Sequence, residues 1–366
     1  MKTAVVILNW NTREHLKRWL PSLLRGTTAD IWVADNASSD GSASMLAKEF
    51  EKVRLISLNK NYGFTGGYNR AMDIVLKSGD YKYAVLLNSD VEVSPGWLEP
   101  LEEWLDSHPE CGICGPKLLA MTRDFGRTRR FEYAGAAGGC IDRMGYSFCR
   151  GRVLGRTEDD EGQYDSPADV FWISGACLVT RTCLWQGLGG LDSRFFAHME
   201  EIDYCWRAHL DGWKATLVPS SEVWHLGGGT LPQNSPFKLK LNFRNNLLLL
   251  DDNLEETFAS EGLRCPRLRA ETRIRARRFL DLCSAMIYLL CGKTENFKAV
   301  LQAHAEFKKL KKEKATERLR FPCPSRGQSA AKDGFMNIFL LPLALLTGKR
   351  IFQKLRQYEN RYLRSR

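Results

Sequence analysis

The sequence predicts an α/β protein with a mostly parallel central sheet, followed by a helical and strongly basic C-terminal region. Short apolar runs alternate with amphipathic stretches through the first 90 residues. Strands alternating with helices of about 10 to 15 residues imply a parallel sheet with both faces covered. Charge is the third observation: residues 1–255 hold 28 Lys+Arg against 33 Asp+Glu, whereas residues 256–366 hold 25 against 10. The C-terminal third therefore predicts an attached segment with its own partner.

The first half of the chain supplies the predicted parallel strands. Strands are expected at residues 3–8, 31–34 and 53–58, and helices at residues 14–24, after residue 42 as far as Phe50, and at residues 68–76. The turn after the first strand lacks the G-x-G-x-x-G pattern that holds a pyrophosphate in dinucleotide-binding domains. This absence argues against a dehydrogenase.

A fourth strand, at residues 83–87, ends in Asn88-Ser89-Asp90. Residues 84–87 are all apolar, as expected of a strand buried on both faces. In open α/β sheets ligands bind at the carboxyl ends of the strands. A single carboxylate there is more often a turn former or a helix cap, so its meaning depends on the motifs around it. We expect Asp90 to lie in a turn where burial does not hold it.

Beyond Asp90 the regular alternation stops. A helix is predicted at residues 95–107, whereas residues 120–170, rich in Gly, Arg and acidic residues, predict long loops or short antiparallel strands. The remaining predicted elements are strands at 171–173 and 177–180 around the turn Ser174-Gly175-Ala176, a helix at 200–210, strands at 215–218 and 223–225, and helices after about residue 237. We expect a catalytic domain over residues 1–250 and a helical, basic region over residues 251–366.

Cysteine content and the N-terminus favour a reducing compartment. The 11 cysteines are odd in number and have no repeating spacing, so a disulfide framework is not indicated. Cys111 and Cys114 have the spacing of half a zinc site or a redox pair, but no second pair accompanies them, which favours buried thiols. Asn9 and Asn11 interrupt the first apolar run, and no small-residue cleavage site follows, so a secretory signal is not predicted. A cytoplasmic location is expected.

Asp35 ends the second predicted strand and has two interpretations. At this position it can accept hydrogen bonds from a ribose or a base edge. Its alternative role is the cap of the next helix, which Ser38 or Ser39 could equally supply. The sequence leaves both open.

Residues 61–69 place three glycines before the predicted third helix. Without side chains in the way, their N–H groups could approach a phosphate or a sugar closely. Glycine-rich turns are commonly only turns, so this pattern alone is weak evidence. The candidate contacts in this segment are Asn61, Gly66, Gly67 and Asn69.

A divalent cation is the expected cofactor. When a nucleotide-sugar is cleaved, charge grows on the departing diphosphate, and a cation can neutralise it. Mg²⁺ and Mn²⁺ prefer oxygen ligands and need only one or two protein ligands besides such a substrate. Asp90 could supply one, with Asn88 orienting it or binding through water. His225 is the candidate second ligand, because a short strand before it and three glycines after Leu226 predict an accessible loop position, although a single histidine is more often structural.

Glu200, Glu201 and Asp203 place three carboxylates within four positions. Such crowding is costly unless a cation, basic groups or proton sharing relieves it. Sugar transfer to a hydroxyl needs a general base, and repulsion between carboxylates raises the pKa of a candidate base toward neutrality. The alternative is a solvated, acidic first turn of a helix, which suits the helix dipole and is favoured when the cluster is considered alone.

Taken in order, these segments resemble glycosyltransferase family 2, the inverting enzymes with the GT-A fold, and specifically its bacterial rhamnosyltransferase-like branch. The matching segments are VVILNWN (5–11), VADNASSDGS (33–42), NYGFTGGYN (61–69), LLNSD (86–90), SGA (174–176), GGLD (189–192), FFAHMEEIDYCWR (195–207) and His225. All of them fall within about the first 250 residues. An ordered set of this kind is far more specific than any single member.

The resemblance implies a role for several residues. Asp35 is similar to the family's contact with the nucleotide base, and Asp90 to the metal-binding end of its D-x-D motif, with Asn88 in place of the first Asp. His225 is similar to a late histidine that completes the metal site in some members, and Glu201 to the catalytic base of the family's Glu-Asp-x-Asp cluster. The nucleotide-sugar-binding set expected by resemblance is Asn9, Asp35, Asn61, Gly66, Gly67, Asn69, Asn88 and Gly175.

The implied reaction is a single displacement with inversion. Glu201, or its neighbour Glu200, deprotonates an acceptor hydroxyl, which attacks the anomeric carbon as the nucleoside diphosphate departs. The expected donor is dTDP-rhamnose or a UDP-sugar, and the expected acceptor is a cell-surface glycan or a lipid-linked precursor.

Two other functions share parts of this pattern. A sugar-phosphate nucleotidyltransferase would have the same architecture and a metal, but it should open with a Gly- and Arg-rich triphosphate loop. A non-catalytic nucleotide-sugar-binding module would keep the fold, and binding without turnover would favour it. The joint presence of Asp90, the acidic cluster and His225 argues against such a module.

The basic third suggests contact with a membrane surface. Seven arginines between residues 264 and 278 precede an apolar stretch at residues 279–290, and five lysines lie between residues 308 and 314. A spanning helix needs about 20 apolar residues, so these segments should not cross a bilayer. The hypothesis is that they lie in its interface. The alternative is that the apolar faces pack on the catalytic domain and the cations are solvated. Nucleic-acid binding is not expected, since no recognition motif accompanies the charge.

Overall fold

The computed structural model describes residues 2–227, 235–313 and 335–364. Gly228 and Gly229, two of the three glycines on which the predicted loop after His225 was based, lie outside the described residues. So does Lys314 of the second basic cluster.

The first half of the chain alternates strands and helices as predicted. The elements are β1 (Lys2–Asn9), α1 (Arg13–Gly26), β2 (Asp30–Asp35), α2 (Ser42–Glu49), β3 (Arg54–Ser57), α3 (Gly63–Ser78) and β4 (Tyr81–Asn88). The start of α3 corrects the prediction, because the glycines expected in a turn form the first turns of the helix.

The middle of the chain completes the sheet and adds an insertion. Its elements are β5 (Val91–Val93), α4 (Glu99–Ser107), β6 (Cys111–Met121), β7 (Arg127–Phe131), β8 (Gly139–Asp142), β9 (Ser147–Cys149), β10 (Arg152–Val153), β11 (Arg156–Thr157), β12 (Ala168–Val170), β13 (Cys177–Arg181), α5 (Thr182–Gly187), α6 (Glu200–Leu210) and β14 (Lys214–His225). Three predictions need correction here. Helix α4 begins four residues later than expected, no strand forms at residues 171–173, and the two strands expected at 215–218 and 223–225 are one irregular strand, β14.

Within the described residues the main sheet has 10 strands, in the order β12-β14-β6-β13-β4-β1-β2-β3, with β5 and β7 paired off this path. Strands β3, β2, β1 and β4 are parallel, and β13 pairs antiparallel with both β4 and β6. Six of the eight strands on the path therefore run in one direction. The mostly parallel α/β sheet is confirmed.

Burial explains why the central strands are so apolar. Residues 84–87 of β4 are at most 2% exposed. They contribute alternately to two hydrophobic clusters, one on each face of the sheet. A parallel sheet covered on both faces needs such continuous apolar strands. Cys111 and Cys114 both belong to one of these clusters as free, buried thiols, as predicted.

Residues 120–170 form the short antiparallel strands that were one of the two predicted forms. A second, five-stranded sheet joins them in the order β11-β10-β9-β8-β15, where β15 (Phe335–Met336) comes from the C-terminal region. Lys117 at its base is 1% exposed and pairs with Asp160 at 3.0 Å and also with Asp165. The insertion is therefore fixed to the main sheet by a buried cation.

The described part of the C-terminal region is helical apart from β15. It contains α7 (Pro236–Ser260), α8 (Pro266–Leu290), α9 (Thr294–Leu310), α10 (Leu340–Thr347) and α11 (Ile351–Arg364). The predicted domain boundary at residue 250 falls inside α7, where residues 247–250 are at most 1% exposed and belong to the main core. In the described ranges no helix is both long and apolar enough to cross a bilayer.

Candidate active site

The parallel register brings the ends of three strands together. On either side of β1, Asn9 pairs with Asp35 and Leu8 pairs with Asn88. The side chains that follow β1, β2 and β4 therefore share the carboxyl edge of the sheet, where ligands of α/β proteins bind. The loop before β13 meets the same edge, because the Asn88 N–H donates to the Ala176 carbonyl at 2.9 Å.

Asp35 is held by the loop that follows it and by β1. Its Oδ1 accepts a hydrogen bond from Asn9 Nδ2 at 2.7 Å, and its Oδ2 accepts from the Ser38 N–H at 3.1 Å. Helix α2 begins only at Ser42, where Asp40 accepts from the Ser42 N–H at 3.0 Å. Asp35 is therefore not the cap of this helix, which removes one of its two predicted roles.

Asp90 and His225 lie side by side at the same edge. His225 Nε2 is 3.1 Å from Asp90 Oδ1 and 3.5 Å from Asn88 Nδ2. Both residues are buried, at 7% and 5% exposure. This corrects the expectation of an accessible turn for Asp90 and an accessible loop for His225, since β5 and the end of β14 pair with each other and enclose both side chains.

A second acidic residue, Glu132, completes the group of Asp90 and His225. Glu132 is 4% exposed, and its Oε2 lies 3.5 Å from His225 Nδ1. Burial alone would lower the pKa of His225, but the charges of Asp90 and Glu132 outweigh it and raise that pKa well above its usual range. The histidine lies between two carboxylates, so its Nε2 is directed toward Asp90 and its Nδ1 toward Glu132.

Glu132 was not among the site residues predicted from the sequence. It follows β7 in a segment without periodicity, and its partner is nearly a hundred positions away in the chain. The only usable signal was the length of this irregular segment, because long ordered loops inside a compact domain are usually functional.

The donor atoms here suit a hard or borderline divalent cation. Among the described residues no group of three or more His, Cys, Asp or Glu side chains is arranged to hold a metal by itself. A carboxylate oxygen of Asp90 and Nε2 of His225 nevertheless offer two adjacent ligands, and Mg²⁺ or Mn²⁺ commonly takes its other ligands from substrate phosphates and water. Glu132 can fix the imidazole from behind, as carboxylates often do for metal-binding histidines.

The N–H groups at the start of the glycine-rich segment have hydrogen-bond partners within the protein. The N–H groups of Phe64 and Thr65, in the first turn of α3, donate to the Phe196 carbonyl at 2.8 and 3.2 Å. The N–H of the preceding Gly63 donates to Asn61 Oδ1 at 2.8 Å. These three donors are therefore satisfied within the protein, and the contacts predicted for Asn61, Gly66, Gly67 and Asn69 with a nucleotide-sugar stay predictions.

Packing explains the glycines at 66 and 67. A Cβ at Gly67 would lie 2.7 Å from the Leu8 side chain, and a Cβ at Gly66 would lie 3.1 Å from Tyr62. Asn69, another predicted sugar contact, uses its amide on the backbone of Leu191, with distances of 2.7 and 2.9 Å. These residues hold α3 against β1 and the 189–192 loop.

Helix α6 begins with the predicted acidic pair. Glu200 is 4% exposed, whereas Glu201 is only partly buried. A Cβ added at Gly175 would lie 3.7 Å from the Glu201 Cβ, so Glu201 lies against this glycine. Burial raises the pKa of Glu201 to about 7, and burial together with the charge of Glu201 raises the pKa of Glu200 well above its usual range. Of the two, Glu201 is the more accessible and lies against the loop that meets Asn88.

Asp203, also predicted to be catalytic, has partners for both oxygens. Its Oδ2 accepts from Arg207 Nε at 2.7 Å, and its Oδ1 accepts from Asn253 Nδ2 at 2.9 Å. It is 1% exposed. These contacts favour a positioning role, in which Asp203 joins α6 to α7.

The loop before α6 is strained and fixed from α7. Phe196, His198 and Met199 have φ values of 64°, 70° and 70°, which are unusual for residues other than glycine. Asn245 Nδ2 lies 2.7 to 3.0 Å from the carbonyl oxygens of Phe195, Ala197 and His198. Backbone strain held in this way is common at functional sites, and here it sets the start of the helix that carries Glu201.

Comparison with known proteins agrees with this geometry. Residues 4–157 match the model of glycosyl transferase family 2. The N-acetylglucosaminyl-diphospho-decaprenol L-rhamnosyltransferase of Mycobacterium tuberculosis is 26% identical over 257 residues, 68% of this chain and 83% of the relative. A low-salt glycan biosynthesis hexosyltransferase of Haloferax volcanii is 23% identical over 250 residues, 67% of this chain and 74% of the relative.

A solved structure shows the same fold. The crystal structure of GalNAc-T7 with UDP, GalNAc and Mn²⁺ aligns with a TM-score of 0.51 and 18% identity, over 72% of this chain and 50% of that one. The chain therefore has the GT-A fold. Its residues 4–157 resemble glycosyl transferase family 2, and the relatives that it is similar to include a rhamnosyltransferase.

Proposed function

We propose that this protein is an inverting, metal-dependent glycosyltransferase that moves a sugar from a nucleoside-diphosphate sugar to a hydroxyl of a cell-surface glycan or a lipid-linked precursor. One observation carries the proposal: Asp90 lies beside His225, and Glu201 lies against the loop at Gly175, whose neighbour Ala176 accepts a hydrogen bond from the Asn88 N–H. This arrangement provides ligands for a cation and a partly accessible carboxylate at one edge of the sheet.

Each residue has a distinct proposed task. Asp90 and His225 would hold a divalent cation, which neutralises the charge that develops on the departing diphosphate. Glu201 takes the proton of the acceptor hydroxyl, and that oxygen attacks the anomeric carbon from the face opposite the leaving group. One displacement inverts the configuration, so no enzyme nucleophile is needed. Asp35 is proposed to contact the nucleotide with those of its oxygen lone pairs that Asn9 and Ser38 leave free.

The relatives support a preference for the substrates. The names of two relatives describe transfer of L-rhamnose to N-acetylglucosaminyl-diphospho-decaprenol and transfer of a hexose in glycan biosynthesis. We therefore propose dTDP-rhamnose or a UDP-sugar as donor and a lipid-linked glycan as acceptor.

A donor screen tests the proposal. Purified protein is incubated with dTDP-, UDP- and GDP-sugars, with Mg²⁺ or Mn²⁺, and release of the nucleoside diphosphate is measured. We expect release from one donor class only, dependent on the cation and faster with a lipid-linked acceptor. Binding of a nucleotide-sugar without release would support a non-catalytic module instead. Formation of a nucleotide-sugar from a nucleoside triphosphate and a sugar phosphate would indicate a nucleotidyltransferase.

The surface of the C-terminal helices supports peripheral attachment to the inner face of the cytoplasmic membrane. Phe279, Met286 and Leu290 are exposed on one face of α8, because their spacings of seven and four residues repeat with the helix. Leu345 and Leu346 in α10 are 85% and 87% exposed. Apolar side chains beside many cations suit the interface of an anionic bilayer, which a lipid-linked acceptor would also occupy.

Flotation with phosphatidylglycerol liposomes tests this attachment. The wild-type chain should float at low salt and less at high salt. Leu345→Gln/Leu346→Gln should reduce the partition coefficient about tenfold or more, since two exposed leucines would otherwise be buried. Ile74→Gln/Leu154→Gln, at exposed apolar positions outside the C-terminal helices, is the matched control. Failure of the wild type to float at low salt, or equal loss in both variants, would rule this attachment out.

A further inference from the structure

A cavity lies between the α7–α8 junction and the β8–β9 turn, away from the strand ends of the proposed active site. Its volume is about 840 Å³. The β8–β9 turn contributes Arg143 and Met144, and the chain just before α10 contributes Phe339. Three separate parts of the chain therefore build its walls. None of its lining residues belongs to the proposed active site.

One part of the wall is strongly cationic. Four arginines line the cavity: Arg143, Arg264, Arg269 and Arg273. Among the described residues, Glu261 is the one acidic residue in its lining. The Arg273 side chain donates to the Arg143 carbonyl, which holds it at the wall. Burial, and then the positive charge of Arg143, lower the pKa of Arg273. Two guanidinium groups that repel each other in a partly buried wall are stabilised by an anion between them.

The rest of the wall is apolar. Phe258, Leu263, Leu268 and Phe339 contribute side chains to it. Leu268 is 60% exposed at the rim, and it lies on the same face of α8 as Phe279, eleven residues further on. The cavity therefore opens beside the exposed apolar face of α8 and the start of α10. An entirely polar ligand would leave this part of the wall uncovered.

From this combination we propose that the cavity binds the phosphate headgroup of a single membrane lipid. The guanidinium groups donate charge-assisted hydrogen bonds to the phosphate oxygens, often in pairs, and the apolar wall covers the first carbons of the lipid tail. The site would fix one lipid in a defined place beside the membrane-facing surface. The choice of a membrane lipid as the ligand rests on the proposed membrane contact, whereas the anion site itself rests on the residues that line the cavity.

Calorimetric titration of the full chain with dihexanoyl phosphatidic acid, below its micelle concentration, tests the site. We expect saturable binding of one lipid per chain. Arg143→Gln/Arg269→Gln should weaken it at least about tenfold, the loss expected for one charged hydrogen bond. This pair leaves the bond from Arg273 in place. Arg267→Gln/Arg275→Gln removes the same charge from exposed positions paired with Glu271 and should change affinity less than about twofold.

Inorganic phosphate provides the second arm of the experiment. It should bind at least about tenfold more weakly than the lipid, because it makes no contact with the apolar wall. Equal affinity for phosphate and lipid would overturn the assignment to a lipid. Equal losses in the two arginine pairs, or no saturable binding by a wild-type chain with a native circular dichroism spectrum, would overturn the site itself. The titration contains neither a nucleotide-sugar nor a metal, so its outcome is independent of sugar transfer.

Discussion

Glu201→Gln is expected to lower kcat about 10³-fold while the affinity for the nucleotide-sugar changes little. The amide keeps the size of the side chain but cannot take the acceptor proton, and the donor does not depend on that proton. Turnover should be measured with saturating donor, and donor affinity should be measured separately by calorimetry. The matched variant is Glu200→Gln, at the less exposed neighbour, for which a smaller loss is expected.

The pH profile adds a second test of the same assignment. A base must be deprotonated to act, and the pKa of Glu201 is raised to about 7. The value of kcat/KM, which reports the pKa of the free enzyme, should therefore rise with pH through about 7 and fall below it. If Glu200→Gln is the damaging change and Glu201→Gln is mild, the base is the other member of the pair. Loss of donor binding in both variants would indicate that the pair binds a metal.

Asp90→Asn is expected to lower turnover at least about 10³-fold and to remove its dependence on Mg²⁺ or Mn²⁺. The asparagine is preferable to alanine because Asp90 is buried beside His225, and truncating one partner of a buried pair destabilises the fold. The amide oxygen has the same size but lacks the charge that attracts a cation. Titration with Mn²⁺ followed by electron paramagnetic resonance, in the presence of nucleoside diphosphate, measures the metal affinity directly.

Glu132→Gln is expected to show a smaller loss of metal affinity than Asp90→Asn. Glu132 contacts the imidazole and not the proposed metal position, so Mn²⁺ affinity should fall about 10- to 100-fold and activity should recover at high Mn²⁺. The unfolding temperature of each variant controls for damage to the fold. Full turnover of the wild type in excess EDTA would contradict the metal-dependent mechanism, and unchanged Mn²⁺ affinity in Asp90→Asn would contradict the assignment of the ligand.

The central sheet could be predicted because the apolar character that each buried strand needs is visible in its own local sequence. A strand covered on both faces must be apolar along its length, and residues 84–87 show this in the sequence itself. Asn9, Asp35 and Asn88 could be placed together for the same reason, since parallel strands bring their carboxyl ends to one edge.

The parts that were not predicted depend on partners far away in the sequence. The glycines at the start of α3 indicate a turn locally, but the Phe196 carbonyl accepts hydrogen bonds from the Phe64 and Thr65 N–H groups, and the helix starts at Gly63. Burial of Asp90 and His225 depends on the pairing of β5 with β14, which no local pattern specifies. For the same reason, the role of Glu132 becomes visible only once His225 is placed beside it.

Helix α7 makes the two predicted domains interdependent. Leu247 and its neighbours complete the main core, Asn245 fixes the loop before α6, and Asn253 holds Asp203. The helix also packs against α8 and α9. The α/β region and the C-terminal helices therefore share α7, and a cut at residue 250 would divide a helix that contacts both. A chimaera that exchanges the C-terminal helices between relatives should place its junction before Pro236, so that α7 is inherited together with the helices it supports.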